Sequence, residues 1–300
     1  EKELYSSNAT IKNLRMKTKV IVLFLIVSNS VYAQDLGGVN RELTRMTAID
    51  DCLLTMDYLY TFHKDTLGNP PFSEKYRLDV GHKYSRYYSL YGEKADSVRA
   101  MATKAYNPFK EMGLGSNEAI SYADCHYNYP KKGILTISVG YISHFVYEEE
   151  MPVMEWRIIQ DDTTTILGYP CNKATVRFRG RDYIAWFTSD IPIPYGPWKF
   201  NGLPGTILQI TESSGLFEWC VMGIYRPKER RILLYDIEKT HSYRLSRKDF
   251  QKIERKFWED PVSLYLTSNR KIYIIKENGK PVEAKPGDVK YTYIPPLELE

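Results

Sequence analysis

The sequence reads as a mainly β protein: a single curved antiparallel meander sheet, half-barrel-like, with one or two packed helices. Short runs rich in β-branched and aromatic residues recur along the chain, and polar or glycine-containing turns join them. Helical periodicity is confined to two stretches. Tyrosine is abundant, at 25 of 300 residues. No Ser/Gly tract, charge block or internal repeat marks a linker, so residues 34–300 are expected to form one domain.

The N-terminal part is set apart. Residues 1–15 read as an upstream extension. From Met16 the text becomes "MKTKVIVLFLIVSNSVYAQ". Lys17 and Lys19 form a basic start, Val20 to Val27 is an unbroken apolar run, and Val31 and Ala33 fit the small-residue pattern before a cleavage site. That order predicts a signal peptide over 16–33 and export to the periplasm or beyond the cell. A buried core helix would account for the apolar run, but not for the order of its flanks. The run is too short to span a bilayer, which takes about 20 apolar residues. Losing residues 1–33 removes five cations and two acids, which takes the net charge from +4 to +1. Neither nucleic acid nor an anionic membrane surface is expected as a partner. No transmembrane segment is expected in the mature chain, and no cysteine follows Ala33 to carry a lipid.

The elements follow in order. "LLTMDYLYTF" (53–62) is a strand by its β-branched and aromatic content. "SVRAMATKAY" (97–106) has helical spacing, with Asp96 or Ser97 as cap. "ILTISVGY" (134–141) and "MEWRII" (154–159) are strands, and "DDTTTILGYPC" reads as a polar turn leading into a short strand. Glu148-Glu149-Glu150 and Asp161-Asp162 read as solvated turns. "KATVRFRGRDYIAWFTS" (173–189) is a hairpin, with Ala174–Phe178 and Tyr183–Thr188 flanking Arg179-Gly180-Arg181-Asp182. A second hairpin, "TILQITESSGLFEWCVMGIY", turns at Glu212–Gly215, and "RRILLYDIEKT" adds a strand. "LSRKDFQKIERKFWED" (245–260) is a helix with a capping box, Ser246 to Asp249. Phe250, Ile253 and Phe257 share one of its faces, and Pro261 stops it. The open face of the curved sheet is where that face is expected to pack.

Between the hairpins lies "DIPIPYGPWKFNGLPGTILQI". Gly202 and Gly205 permit positive φ, and Pro204 fixes its own φ and extends Leu203. Pro192, Pro194 and Pro197 stiffen the approach. The rings of Tyr195, Trp198 and Phe200 are therefore presented on a rigid connection. They form either a shelf that contacts a ligand or a plug over one end of the sheet.

The stretch resembles the signature of the GLPGLI family, exported proteins typical of the Bacteroidota. This chain carries Gly202-Leu203-Pro204-Gly205-Thr206-Ile207, with Thr206 where the family name has leucine. The resemblance extends over Gly168, Tyr169, Cys171, Lys173 and Ala174. It continues through Gly180, Arg181, Tyr183, Ala185, Trp186, Phe187 and Thr188, then Asp190, Ile191, Pro192, Gly196, Pro197 and Phe200. "YIPPLELE" is similar to the family's terminal pattern. The close match covers about residues 154–222. The resemblance implies export and a β-rich fold, without an established activity or catalytic residues. It also implies a role beside TonB-dependent outer-membrane receptors.

Cys52, Cys125, Cys171 and Cys220 allow two disulfides in three connectivities, or free buried thiols. A bridge within Cys52/Cys125 and another within Cys171/Cys220 is the pairing preferred here. No CxxC spacing points to zinc or a redox motif. The serine-hydrolase elbow, HExxH, P-loop and dinucleotide patterns are all missing from the sequence. His63, His82, His126, His144 and His241 are scattered. Cys125 and His126 alternate across a strand and so do not share a metal readily. Asp190 fits a structural role if its carboxylate takes turn N–H groups. No cofactor, metal or catalytic residue is assigned. The expected function is a non-enzymatic cell-envelope accessory protein that binds an apolar or peptide-like ligand or an outer-membrane partner. The alternative is a secreted hydrolase assembled from distant residues, which needs a histidine within hydrogen-bond reach of Cys, Ser or Asp.

Overall fold

The structure is a computed structural model. It describes residues 46–63, 71–94, 123–140, 144–235, 242–266, 273–275, 281–288 and 296–300. The leader, His241 and the expected helix at 97–106 lie outside these residues.

Two meanders build one large sheet. The first runs β1 (Met46–Phe62), β2 (Phe72–Gly81), β3 (Ser85–Ser89), β4 (Asp124–Tyr127), β5 (Ile134–Gly140) and β6 (His144–Glu150). The second runs β7 (Arg157–Ile166), β8 (Tyr169–Phe178), β9 (Arg181–Thr188), β10 (Thr206–Glu212) and β11 (Phe217–Tyr225). Antiparallel pairing of β1 with β11 joins them, so β6 and β7 stand far apart in the sheet order. β12 (Arg231–Tyr235) pairs with the start of β1, and β13 (Ser242–Arg244) adds a parallel strand beside β6. Helices α1 (Arg247–Glu259) and α2 (Pro261–Leu266) follow, then a small ribbon of β14 (Tyr273–Ile275) and β15 (Pro281–Glu283).

This order forces the sheet to curl. Laid flat, β6 and β7 would stand about 48 Å apart, ten strand spacings of ~4.8 Å. Residues 151–156 connect them, and that link reaches at most about 25 Å when fully extended. The two ends must therefore approach each other, although β6 and β7 do not pair and the sheet stays open.

Side-chain alternation selects the inner face. On β1, Met56, Tyr58, Tyr60 and Phe62 are buried in the core, while Asp57, Leu59 and Thr61 alternate with them. The interior is aromatic: Tyr60 packs on Trp219 at 5.0 Å, Tyr76 stacks on Tyr87 at 5.1 Å, and Trp198 lies parallel to Trp219 at 6.2 Å.

Hairpin turns follow backbone chemistry. The β8–β9 turn is the two-residue pair Arg179-Gly180, both at positive φ, which suits the strand twist. Leu167-Gly168 does the same between β7 and β8. "DDTTTI" is therefore strand rather than turn, because the reversal needs only these two residues. Glu148–Glu150 likewise end β6, with Glu149 facing inward at 10% side-chain exposure. Helix α1 begins as expected: Ser246 Oγ accepts from Asp249 N at 3.1 Å. Its Phe250 stacks on Tyr147 of β6 at 5.1 Å.

The four cysteines are free thiols, which corrects the preferred disulfide pairs. Cys52 on β1 and Cys125 on β4 have two strands between them, as do Cys171 on β8 and Cys220 on β11. Three strand spacings are about 14 Å, twice the ~7 Å limit for bridged Cα atoms.

Candidate functional site

The seam between the two ends of the sheet is filled by residues 189–205. This segment folds on itself. Gly196 N donates to Phe200 O (2.9 Å), Gly202 N to Pro194 O (2.9 Å), and Tyr195 bridges Asn201. At its neck, Thr206 N and Thr206 Oγ1 both donate to Ile191 O, and the hydroxyl also reaches Ile193 O. Thr206, the departure from leucine, thus supplies a donor that leucine lacks.

The glycines have separate reasons. Gly202 sits at φ +92°, and a β-carbon there would meet nothing closer than Trp156, at 3.9 Å. At Gly205 a β-carbon would fall 2.1 Å from Thr188 O, so that position needs glycine for close approach. Between them Leu203 is buried.

Trp198 and Phe200 are buried as well, and Tyr195 is half-buried. Phe200 meets Tyr183 at 4.8 Å and Trp219 at 5.6 Å. The rings complete the aromatic interior, which is the plug arrangement. Tyrosine hydroxyls hold the plug from across the sheet. Tyr127 on β4 donates to Gly196 O and Trp198 O, and Asn128 donates to Tyr195 OH at 2.7 Å, while just beyond the plug Tyr58 on β1 donates to Ile207 O of β10 at 2.6 Å. From the β6–β7 connection, Trp156 Nε1 donates to Asn201 O at 2.7 Å, while Asn201 Nδ2 donates to Pro152 O. Gly196 and Pro197 are buried, whereas Pro192, Pro194 and Pro204 are exposed. Asp190 is exposed. Its backbone N–H donates to Thr188 Oγ1, and among the described residues its carboxylate takes no turn N–H.

The sequence reading missed the charge centre of the seam. Lys199 is 1% exposed. Its ammonium donates to Tyr147 OH (3.0 Å), to Glu149 on β6 and to Glu298. Arg179 from the β8–β9 turn pairs with Glu149 at 2.9 Å, and Arg247 of α1 pairs with Glu298. Burial pulls the Lys199 pKa down, but Tyr147, Glu298 and Glu149 outweigh it and hold it above the ordinary lysine value. Burial pushes Glu298 up, yet Lys199, Arg247 and Arg179 bring its carboxyl below the usual glutamate range.

Other polar groups line the opposite face of the first meander. Cys125 faces the core while His126 lies on the other face and bonds Leu233 O at 2.9 Å. His144 lies between Ser138 and Ser242, with Nδ1 2.5 Å from Ser242 Oγ and Nε2 bonded to Ser138 Oγ. His63 and His82 are exposed. Among the described residues no group of three or more His, Cys, Asp or Glu is placed to hold a metal ion, and no helix is long and apolar enough to cross a membrane.

Residues 177–209 match the model of a family described as "Protein of unknown function (Porph_ging)". The match spans the end of β8, β9, the plug and the start of β10. No curated protein matches the chain. Two solved structures, "Structure of PNGF-II in P21 space group" and "Structure of PNGF-II in C2 space group", are similar to it at 11% identity, with TM-scores of 0.45 and 0.46. Each likeness covers 67% of this chain and 32% of the other, so about a third of PNGF-II is matched.

Proposed function

We propose that the chain is an exported, non-enzymatic cell-envelope accessory protein of the GLPGLI family. It acts by binding an apolar or peptide-like ligand or an outer-membrane partner. The observation that carries this reading is the curled sheet whose aromatic interior is closed along one seam by a folded segment and a buried charge cluster. A shell of this kind presents apolar surface when its seam opens and conceals it when shut. The leader-like segment at 16–33 supports export, and the run from Gly168 to Gly205 supports the family.

Affinity purification of the tagged protein from its native envelope, with mass spectrometry of what stays bound, tests the reading. A recurring receptor, peptide or lipid is expected. A protein that returns empty from every envelope fraction contradicts it.

The hydrolase alternative has one contact in its favour, the histidine His144 between two serine hydroxyls. A fluorophosphonate probe that labels Ser138 or Ser242 in the folded protein would favour it over binding.

A further inference from the structure

Residues 296–300, Pro-Leu-Glu-Leu-Glu, lie along the seam as a ligand lies in a groove. Pro296 O accepts from Arg181 Nη2 at 2.8 Å and Nε at 3.3 Å. Leu297 packs against the core. Glu298 takes Lys199, Arg247 and Gln251, the last at 3.2 Å. Leu299 N donates to Arg179 O at 2.9 Å, as a strand would add to an edge. Glu300 O accepts from Arg247 Nη1 at 2.8 Å and Gln251 Nε2 at 3.3 Å. Gly180 leaves room for this approach, since a β-carbon there would fall 2.9 Å from Leu299 Cβ.

The groove is built from four separate elements: Arg179 and Arg181 at the β8–β9 turn, Lys199 in the plug, Glu149 on β6, and Arg247 and Gln251 on α1. Without residues 296–300 it holds four cations, Arg179, Arg181, Lys199 and Arg247. Two acids, Glu149 and Glu212, face them, which leaves an excess of +2. One cation is imperfectly met: Arg179 Nε is buried without a hydrogen-bond acceptor and lies 4.0 Å from Glu298.

We propose that this groove is a recognition site for an extended acidic peptide of a partner protein, held in cis by residues 296–300 until the partner segment displaces them. The ligand class follows from the contacts. It needs an apolar side chain in the place of Leu297 and a carboxylate one position on, between Lys199 and Arg247. Its backbone N–H must reach Arg179 O, and its carbonyls Arg181 and Arg247. The proposal deepens the binding reading above and rests on it. The two fail separately, because an empty native pull-down leaves the peptide titration below unaffected.

The test deletes residues 296–300 and titrates in the fluorescently labelled peptide Pro-Pro-Leu-Glu-Leu-Glu. Saturable binding is expected, weakened at high salt, reduced at least tenfold by Lys199→Met, and lost with Pro-Pro-Leu-Gln-Leu-Glu. Binding to the intact chain is expected to be about 10²-fold weaker, because the tethered segment competes at high effective concentration. Should deletion prevent folding, the free peptide is expected to restore the native circular-dichroism spectrum. A folded deletion variant that binds no peptide, or an unfolded one that the peptide does not rescue, overturns the proposal. Exchange of residues 296–300 between two copies of the intact chain, seen as a dimer by sedimentation, overturns the partner assignment in favour of self-association.

Discussion

Gly205 and Thr188 touch backbone to backbone: a β-carbon on Gly205 would lie 2.1 Å from the Thr188 carbonyl oxygen. Gly202, three residues earlier, has space around it but a φ of +92°. The two glycines of one motif are thus required for different reasons, and asparagine separates them. Gly202→Asn is expected to be tolerated within about 1 kcal/mol, since asparagine visits left-handed backbone. Gly202→Val is expected to cost about 1–3 kcal/mol through backbone strain, and Gly205→Asn a similar ~1–3 kcal/mol through overpacking. Urea denaturation of the three variants checks the ranking.

Lys199 is expected to be far more sensitive than a surface lysine. Lys199→Met leaves Glu149 and Glu298 buried beside one another, and breaking such a cluster costs about 3–5 kcal/mol. Adding Glu149→Gln and Glu298→Gln is expected to recover part of that loss, because no buried carboxylate is then left short of a cation, while Arg179 and Arg247, each partly exposed, turn to solvent. Thermal melts of the single and triple variants give the comparison.

Glu298 predicts an acid limit. Its folded pKa is lowered, so the charged form favours the folded state. That stabilisation is complete above the unfolded glutamate value of about 4.3 and is lost as pH falls through the lower folded value. Stability of the wild type is therefore expected to drop below about pH 4, and Glu298→Gln is expected to show a shallower drop from a lower starting stability. Denaturation across an acid pH series measures both slopes.

The thiols offer a fourth check. Burial pushes the Cys125 thiol up to about 12 and the Cys52 thiol to about 11. Both are expected to resist iodoacetamide at about pH 8, where little thiolate forms, while half-exposed Cys220 reacts first. In denaturant without reductant all four are expected to titrate as thiols.

Local chemistry made much of the fold readable. Glycine at a two-residue turn located the β8–β9 hairpin, and Ser246 with Asp249 located the start of α1. The rigidity of the stretch before Gly205 is also local, because proline and glycine act on their own torsions. The curl is not local. It arises because β1 pairs with β11, Thr55 opposite Tyr225, and no neighbouring residue announces that pairing. The charge centre was hidden for a related reason. Lysine is almost always exposed, and the acids that neutralise Lys199 lie 50 and 99 residues away. Glu149 looked like part of an acidic turn, although strand alternation buries it between exposed Glu148 and Glu150.

Hydrogen–deuterium exchange of the backbone amides of Gly196, Phe200, Gly202 and Thr206 in the isolated protein tests most directly whether the matched block is a closed plug. Each of these N–H groups donates within the segment. Slow exchange, close to that of the β9 and β10 amides, is expected. Exchange at the rate of an open loop would contradict the plug and return Tyr195, Trp198 and Phe200 to the role of an exposed binding shelf.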